Sequence, residues 1–169
     1  MNKALEKYVN LALDLGMENA TTITSADICF DIRAILKCCW GCDRSYSATL
    51  RCDNRGTTFE QRMEMIKRYN NILLVHSHDS IALSQTLLKI EKVAFLDGYY
   101  FAFTIRSCNL CKECLVINGG ECLFPDKVRP CDQMFGIDVY KTVRQLGFPC
   151  EVLQSEDSVQ NRYGFLLID

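Results

Sequence analysis

The chemistry of this chain is concentrated in the segment Cys108-Asn109-Leu110-Cys111-Lys112-Glu113-Cys114, closed by Cys122 and followed by Pro125. Thiolates are soft ligands that suit zinc or iron–sulfur clusters. The two x2 steps keep the first three thiols in one compact wrap. The longer interval lets Cys122 return from the far side, and Pro125 stiffens the exit by fixing φ. Each iron of a cubane takes one external thiolate, a need that four thiolates in one segment meet. A mononuclear zinc site usually draws on two separated ligand pairs instead. The expected cofactor is therefore a 4Fe–4S cluster on Cys108, Cys111, Cys114 and Cys122, with zinc as the alternative. Cys131 is a spare candidate for the fourth ligand. The plain alternative is a loop of reduced, unligated thiols.

Bacterial cluster-binding segments place a further Cys and a Pro after a C-x2-C-x2-C run. Here Pro125 follows Cys122 by three residues rather than directly. A second group, Cys38, Cys39, Cys42 and Cys52, has irregular intervals. Cys38, Cys42 and Cys52 are candidate metal ligands, for a second site or for the first one. Cys39-Trp40-Gly41-Cys42 is also a C-x-x-C, the pattern of thiol–disulfide exchange. The residues that follow show no apolar helical face, which counts against that reading. His76 and His78 share one face by alternation, as metal ligands, a proton relay or simple polar residues at a strand end. Arg106, Lys112, Lys127 and Arg129 surround the main cysteine segment, where cations stabilise thiolates. No Gly-rich phosphate loop, Ser/His/Asp order or carboxylate pair is recognisable.

The 11 cysteines among 169 residues argue for metal ligation or thiol chemistry in a reducing compartment, rather than a disulfide scaffold. Cys29 and Cys150 stand apart and read as small buried apolar side chains. A formal charge of −2 gives no general pull toward nucleic acid or an anionic membrane. The first 15 residues are interrupted by Lys3, Glu6, Lys7 and Asp14, so they lack the apolar core of a signal peptide. No stretch approaches the roughly 20 apolar residues of a membrane span. The expected location is cytoplasmic.

The elements that must position these thiols follow from periodicity. Residues 2–15 read as a helix with Leu5, Val9, Ala12 and Leu13 on one face and Gly16 as its stop. Thr21–Thr24 reads as a short strand, and Ile28–Phe30 as a possible second. The segment around Cys38–Cys42 reads largely as loop. Thr58-x-x-Gln61 and Thr57-x-x-Glu60 have capping-box spacing, with Phe59, Met63 and Ile66 as the apolar stripe after them. Ile72–Val75 reads as a strand covered on both faces. Asp79 or Ser80 caps a helix through Leu83, Leu87, Ile90 and Ala94, closed by Gly98. Tyr99–Ile105 is β-prone and predicts a strand in the sheet interior, leading to Cys108. Asp132 predicts the cap of a helix through Phe135, Val139, Val143 and Leu146, ended by Gly147 and Pro149. Cys150–Leu153 and Phe165–Ile168 read as strands, separated by a polar turn over 155–161. The alternation predicts one α/β domain over residues 1–169, a mixed sheet flanked by helices, with the cysteine loops at one end.

Taken together, Lys37-Cys38, Cys42, Cys52, Tyr69–Val75, Gly98-Tyr99 and the Cys108–Cys122 segment with Pro125 form an order that resembles a known family. Arg129-Pro130, Gly136-Ile137-Asp138-Val139 and Tyr163-Gly164 extend the match. The resemblance is to an uncharacterised prokaryotic family of predicted metal-binding proteins, common in anaerobic bacteria and methanogenic archaea. It runs from about residue 25 to the end. The chain departs from the family at Asp53-Asn54, where Pro-Pro is usual, and at Cys131, where Ser is usual and where the thiol is a further candidate ligand. The resemblance implies metal binding and an anaerobic setting, and names no reaction.

Two functional classes follow. One is an iron–sulfur protein for electron transfer or redox support of an anaerobic enzyme, working with a protein redox partner and with neither nucleic acid nor membrane. The other is a zinc module for protein interaction, its metal serving only the fold. A redox enzyme acting through Cys39 and Cys42 is a third, minor reading. Whether the chain is itself an enzyme is left open by the residues.

Overall fold

The computed structural model describes residues 3–42, 50–155 and 157–169. It contains four strands and five α-helices among those residues. Helix α1 (Lys3–Asp14) is followed by strand β1 (Asn19–Ile23), helix α2 (Ile32–Gly41) and helix α3 (Phe59–Lys67). Strand β2 (Ile72–Ser77), helix α4 (Ser80–Leu96) and strand β3 (Phe103–Ile105) come next. Helix α5 (Val139–Gln145) and strand β4 (Arg162–Leu167) complete the order.

The strands form one sheet in the order β1-β2-β4-β3. The expected α/β domain is present, a sheet with helices packed against it. Every strand pair is antiparallel, where a mixed sheet was expected. Long crossovers through helices do not by themselves set strand direction, so helix–strand alternation overstates the chance of parallel neighbours.

Strand β2 is buried along its whole length because helices cover both faces. Leu73 and Val75 point into a core built with α1 and α4, around Leu5, Tyr8, Leu83, Leu87 and Ile90. Ile72 and Leu74 point the other way, toward Ile66, Ile137, Val143 and Phe165. Successive side chains alternate across a strand, so an unbroken apolar run needs this two-sided cover. The caps expected at Thr58 and Asp79 both form. Thr58 Oγ1 accepts from Gln61 N at 3.2 Å while Gln61 Oε1 accepts from Thr58 N at 2.9 Å. Asp79 Oδ1 accepts from Ile81 N and Ala82 N at 2.8 and 3.0 Å.

Several expected elements differ. Tyr99–Ile105 is not an interior strand. Only Phe103–Ile105 pairs, and it does so at the sheet edge beside β4. Residues 99–102 instead turn out of α4, with Tyr99 N donating to Ala94 O and Ala102 N to Tyr99 O. The helix terminus and its glycine override β-propensity there. Asp132 caps only the 3-10 turn Gln133–Phe135, and α5 starts seven residues later, capped by Asp138. Gly136 at φ +75° breaks the run between them. Residues 150–153 form no strand, since no neighbour pairs with them, and Ile28–Phe30 contributes only the isolated bridge Phe30–Ile137. Residues 43–49 of the segment read as loop lie outside the described residues.

Candidate metal centre and adjoining cavity

The segment carrying Cys38 and Cys42 was read as loop, yet residues 32–41 are helical. Asp31 starts the helix by accepting from Arg33 N at 2.8 Å. Its own N–H donates to Gly136 O at 2.8 Å. Asp138 N donates to Cys29 O at 2.8 Å, so the chain entering α2 is stitched to residues 136–138. One helical turn separates Cys38 from Cys42, which puts both sulfurs on one face. Cys39 falls off that face and is exposed.

Cys131 arrives from the other side. Cys38, Cys131 and Met134 form a small buried cluster with Cys42 packed against it. Ser107 Oγ donates to Cys131 Sγ at 2.9 Å, and the Cys131 thiol donates to Asp132 Oδ1 at 3.1 Å. The Cys38 thiol is pulled down to about 7, chiefly by its hydrogen bond with Cys131, against the opposing effect of burial. Cys42 and the Arg51 charge act in the same lowering direction. Cys131 is pushed up by that same bond, by burial and by the Asp132 charge.

The second thiol group lies in the turn after β3. Cys108, Cys111, Cys114 and Cys122 are all half-buried. Burial raises Cys108, while the Leu110 N–H and Arg51 lower it, and charges on Cys122 and Cys111 act on it through space. Beyond β3, the residues from 106 to 131 hold only two short 3-10 turns, Leu115–Asn118 and Pro125–Lys127. No regular element of this segment fixes the sulfurs.

Arg51 joins the two groups. Its guanidinium donates to Cys108 O at 2.6 Å, and its carbonyl accepts from Cys131 N at 3.1 Å. Arg106 N donates to Pro130 O at 3.0 Å, tying the end of β3 to the segment that carries Cys131. Both groups therefore sit at the sheet end where β3 finishes and β4 begins. Cys38, Cys42, Cys52 and Cys131 line one cavity of about 690 Å³ there, together with Arg106 and Ser107.

Among the described residues, no three His, Cys, Asp or Glu side chains already converge tightly enough to hold a metal ion. The donor set fits a metal centre in chemistry: eight soft sulfurs in two neighbouring groups, half-buried or buried, beside fixed cations. None of the eleven cysteines is in a disulfide.

The remaining candidates separate cleanly. His76 and His78 both reach Asn161 Oδ1, at 2.8 and 3.1 Å, and His78 also pairs with Glu18 at 3.1 Å. They form a polar lock between β2 and the start of β4, and Asn161, which holds both rings, lines the cavity that the thiols also line. Arg129 forms an ion pair with Glu91, and Lys127 lies over the Phe124 ring at 5.0 Å. Cys150 is buried in the core, as expected, whereas Cys29 is half-buried and donates to Gln145 Oε1 at 3.3 Å. Sequence reasoning missed Arg51, Ser107 and Asp132 as neighbours of the thiols. Each stands next to a cysteine in the chain (Arg51 by Cys52, Ser107 by Cys108, Asp132 by Cys131), but the contacts of Arg51 with Cys108 and of Ser107 with Cys131 exist only in the folded chain.

The chain belongs to the family described as predicted metal-binding protein (DUF2284), whose model matches residues 21–168. The family expected from the cysteine order and the Arg-Pro and Gly-Ile-Asp-Val segments is therefore the one found. No curated protein and no solved structure matches the chain. No helix among the described residues is long and apolar enough to cross a membrane.

Proposed function

With membership of a predicted metal-binding family as the premise, we propose that this is a cytoplasmic iron–sulfur protein. Cys108, Cys111, Cys114 and Cys122 would hold a 4Fe–4S cluster. Cys38, Cys42 and Cys52 would form a second ligand group, with Cys131 as its fourth thiol. When bound, such a cluster accepts and releases single electrons. The role that follows is electron transfer, or redox support of an anaerobic enzyme, through a protein partner.

The observation that carries the reading is the Arg51 bridge. It sets the two thiol groups side by side and puts a permanent cation between them. That cation favours deprotonation of the thiols, a precondition of metal binding. Half-burial of the Cys108 loop supports a site shielded from solvent yet within reach of a partner.

Metal and acid-labile sulfide analysis of protein purified without oxygen tests this. Brown protein with iron and sulfide in similar amounts is expected, and Cys111→Ser should remove much of both. Colourless protein with stoichiometric zinc and no sulfide, even after anaerobic reconstitution, would replace it with the structural zinc reading.

A further inference from the structure

The cavity beside the thiols contains a cation that nothing in the metal reading explains. Arg106 follows directly on β3 and is 8% exposed. Its Nε is sealed from solvent and has no hydrogen-bond partner. Its guanidinium makes no ion pair within 4 Å among the described residues. Asp132 is the nearest carboxylate acting on it, and does so only through space. The Oδ1 of Asp132 is already engaged by Gln133 N at 3.1 Å and by the Cys131 thiol. A buried guanidinium N–H without a partner is costly, and buried charges are ordinarily paired.

The side chain is also deliberately accommodated. A Cβ on Gly164 would lie 2.4 Å from Leu87 Cδ1, 3.0 Å from Arg106 Cδ and 3.4 Å from Arg106 Cβ, so the glycine makes room for both side chains. The bare backbone of β4 thus leaves a channel for the arginine stem, whose head lines the cavity. The cavity wall carries five cationic side chains and three carboxylates, so its charge is net positive. One of the carboxylates, Asp31, is already paired with Arg33.

We propose that this cavity binds a small monocarboxylate, held by the Arg106 guanidinium in a two-point, fork-like contact. A guanidinium matches a carboxylate with two parallel N–H···O bonds, and the pairing is strongest where water is excluded. The cavity volume of about 690 Å³ is that of a small-molecule site. A single buried cation is neutralised by one negative charge. A phosphate dianion would bring a second negative charge close to Asp132, which lines the same wall. Ser107 and Asn161 add neutral polar groups to the wall, and Ile137 and Val152 add apolar area for the rest of the acid. The bound acid would lie against Cys38, Cys42 and Cys131, which makes it a substrate or effector of whatever those thiols carry. The proposal does not depend on the identity of the metal.

The test is calorimetric titration of the full chain, purified without oxygen, with acetate and with benzoate at constant ionic strength. Inorganic phosphate and chloride serve as comparison anions, and metal content is measured on every sample. Saturable 1:1 binding of a monocarboxylate is expected, weakened at least tenfold in Arg106→Gln. Arg106→Lys keeps the charge in place and should retain part of the affinity. If Arg106→Gln does not fold, the wild-type protein decides. Its melting temperature should rise with acetate or benzoate to a plateau that equal chloride does not reach. Absence of saturable binding to wild type, or equal binding by Arg106→Gln, overturns the proposal. So does a preference for phosphate. Loss of metal from Arg106→Gln, with no acid bound by wild type, assigns the arginine to charge balance of the metal centre instead. Absence of metal from the wild type, with acid binding intact, would defeat the proposed cluster and leave this site standing.

Discussion

Replacing Gly136 with alanine is expected to destabilise the protein by about 2–4 kcal/mol, from two separate costs. Gly136 has φ +75° and ψ 19°, left-handed backbone that ends the turn after Cys131. An L-residue there costs about 1–2 kcal/mol. The new Cβ would also stand 2.2 Å from Phe59 Cε2 and 2.8 Å from Cδ2. Phe59 is the first residue of α3, and its ring must move; overpacking of this kind costs about 1–3 kcal/mol. The smaller freedom of alanine in the unfolded chain returns about 0.4–1 kcal/mol. For a chain of this length the net loss corresponds to a fall in melting temperature of about 5–15 °C. Urea denaturation of wild type and variant measures it. A Phe59→Leu background separates the costs: without the ring, Gly136→Ala should cost only about 1 kcal/mol. A stability change under about 0.5 kcal/mol in wild type would refute the strained-turn argument. An equal cost in both backgrounds would refute the part assigned to the ring. Because Gly136 O receives the Asp31 N–H that starts α2, the same substitution should also loosen the helix carrying Cys38 and Cys42.

Acid should weaken the fold through capping and paired carboxylates. Arg33 holds Asp31 down to about 2, the N–H groups of Ala82 and Ile81 lower Asp79, and Lys7 and Tyr8 lower Asp97. A depressed carboxyl gives stability that is present above its unfolded value near 4 and lost as pH falls through its folded value. Stability should therefore fall below about pH 4, and Asp31→Asn, which keeps the cap but loses the Arg33 ion pair, should be somewhat less stable at pH 7 and decline less steeply in acid. A decline of unchanged slope in Asp31→Asn would remove Asp31 from the account. Glu91 pairs with Arg129 across the edge of the sheet and accepts from Thr104 N at 2.7 Å. Glu91→Ala leaves the mostly buried Arg129 charge without its carboxylate, though still bonded to the Asp126 and Val128 carbonyls, and leaves the Thr104 N–H without its acceptor; it should cost about 3 kcal/mol in denaturant unfolding. A loss below about 1 kcal/mol would show the pair to be no more than a surface contact.

Local pattern determined much of this protein before any coordinates. The four-cysteine segment, the α1 stripe, the caps at Thr58 and Asp79, the two-faced strand Ile72–Val75 and the α4 stripe all rest on neighbours within a few residues. Such signals survive in the linear chain because helix and strand periods, and capping reach, are short-range properties. Sheet order and direction depend on partners far apart, so β3 moved to the edge and the sheet proved antiparallel throughout. Helix α2 was hidden because its stripe is short and its start is held by Gly136, more than 100 residues away. The candidate site divides the same way. Thiol identity and spacing were legible, and the family match agrees with them. The pairing of Cys38 with Cys131, the Arg51 bridge and the unpartnered Arg106 were not. Each is a contact between segments that only the closing of β3 against β4 and of α2 against the Gly136 turn brings together, and no local propensity encodes such a meeting.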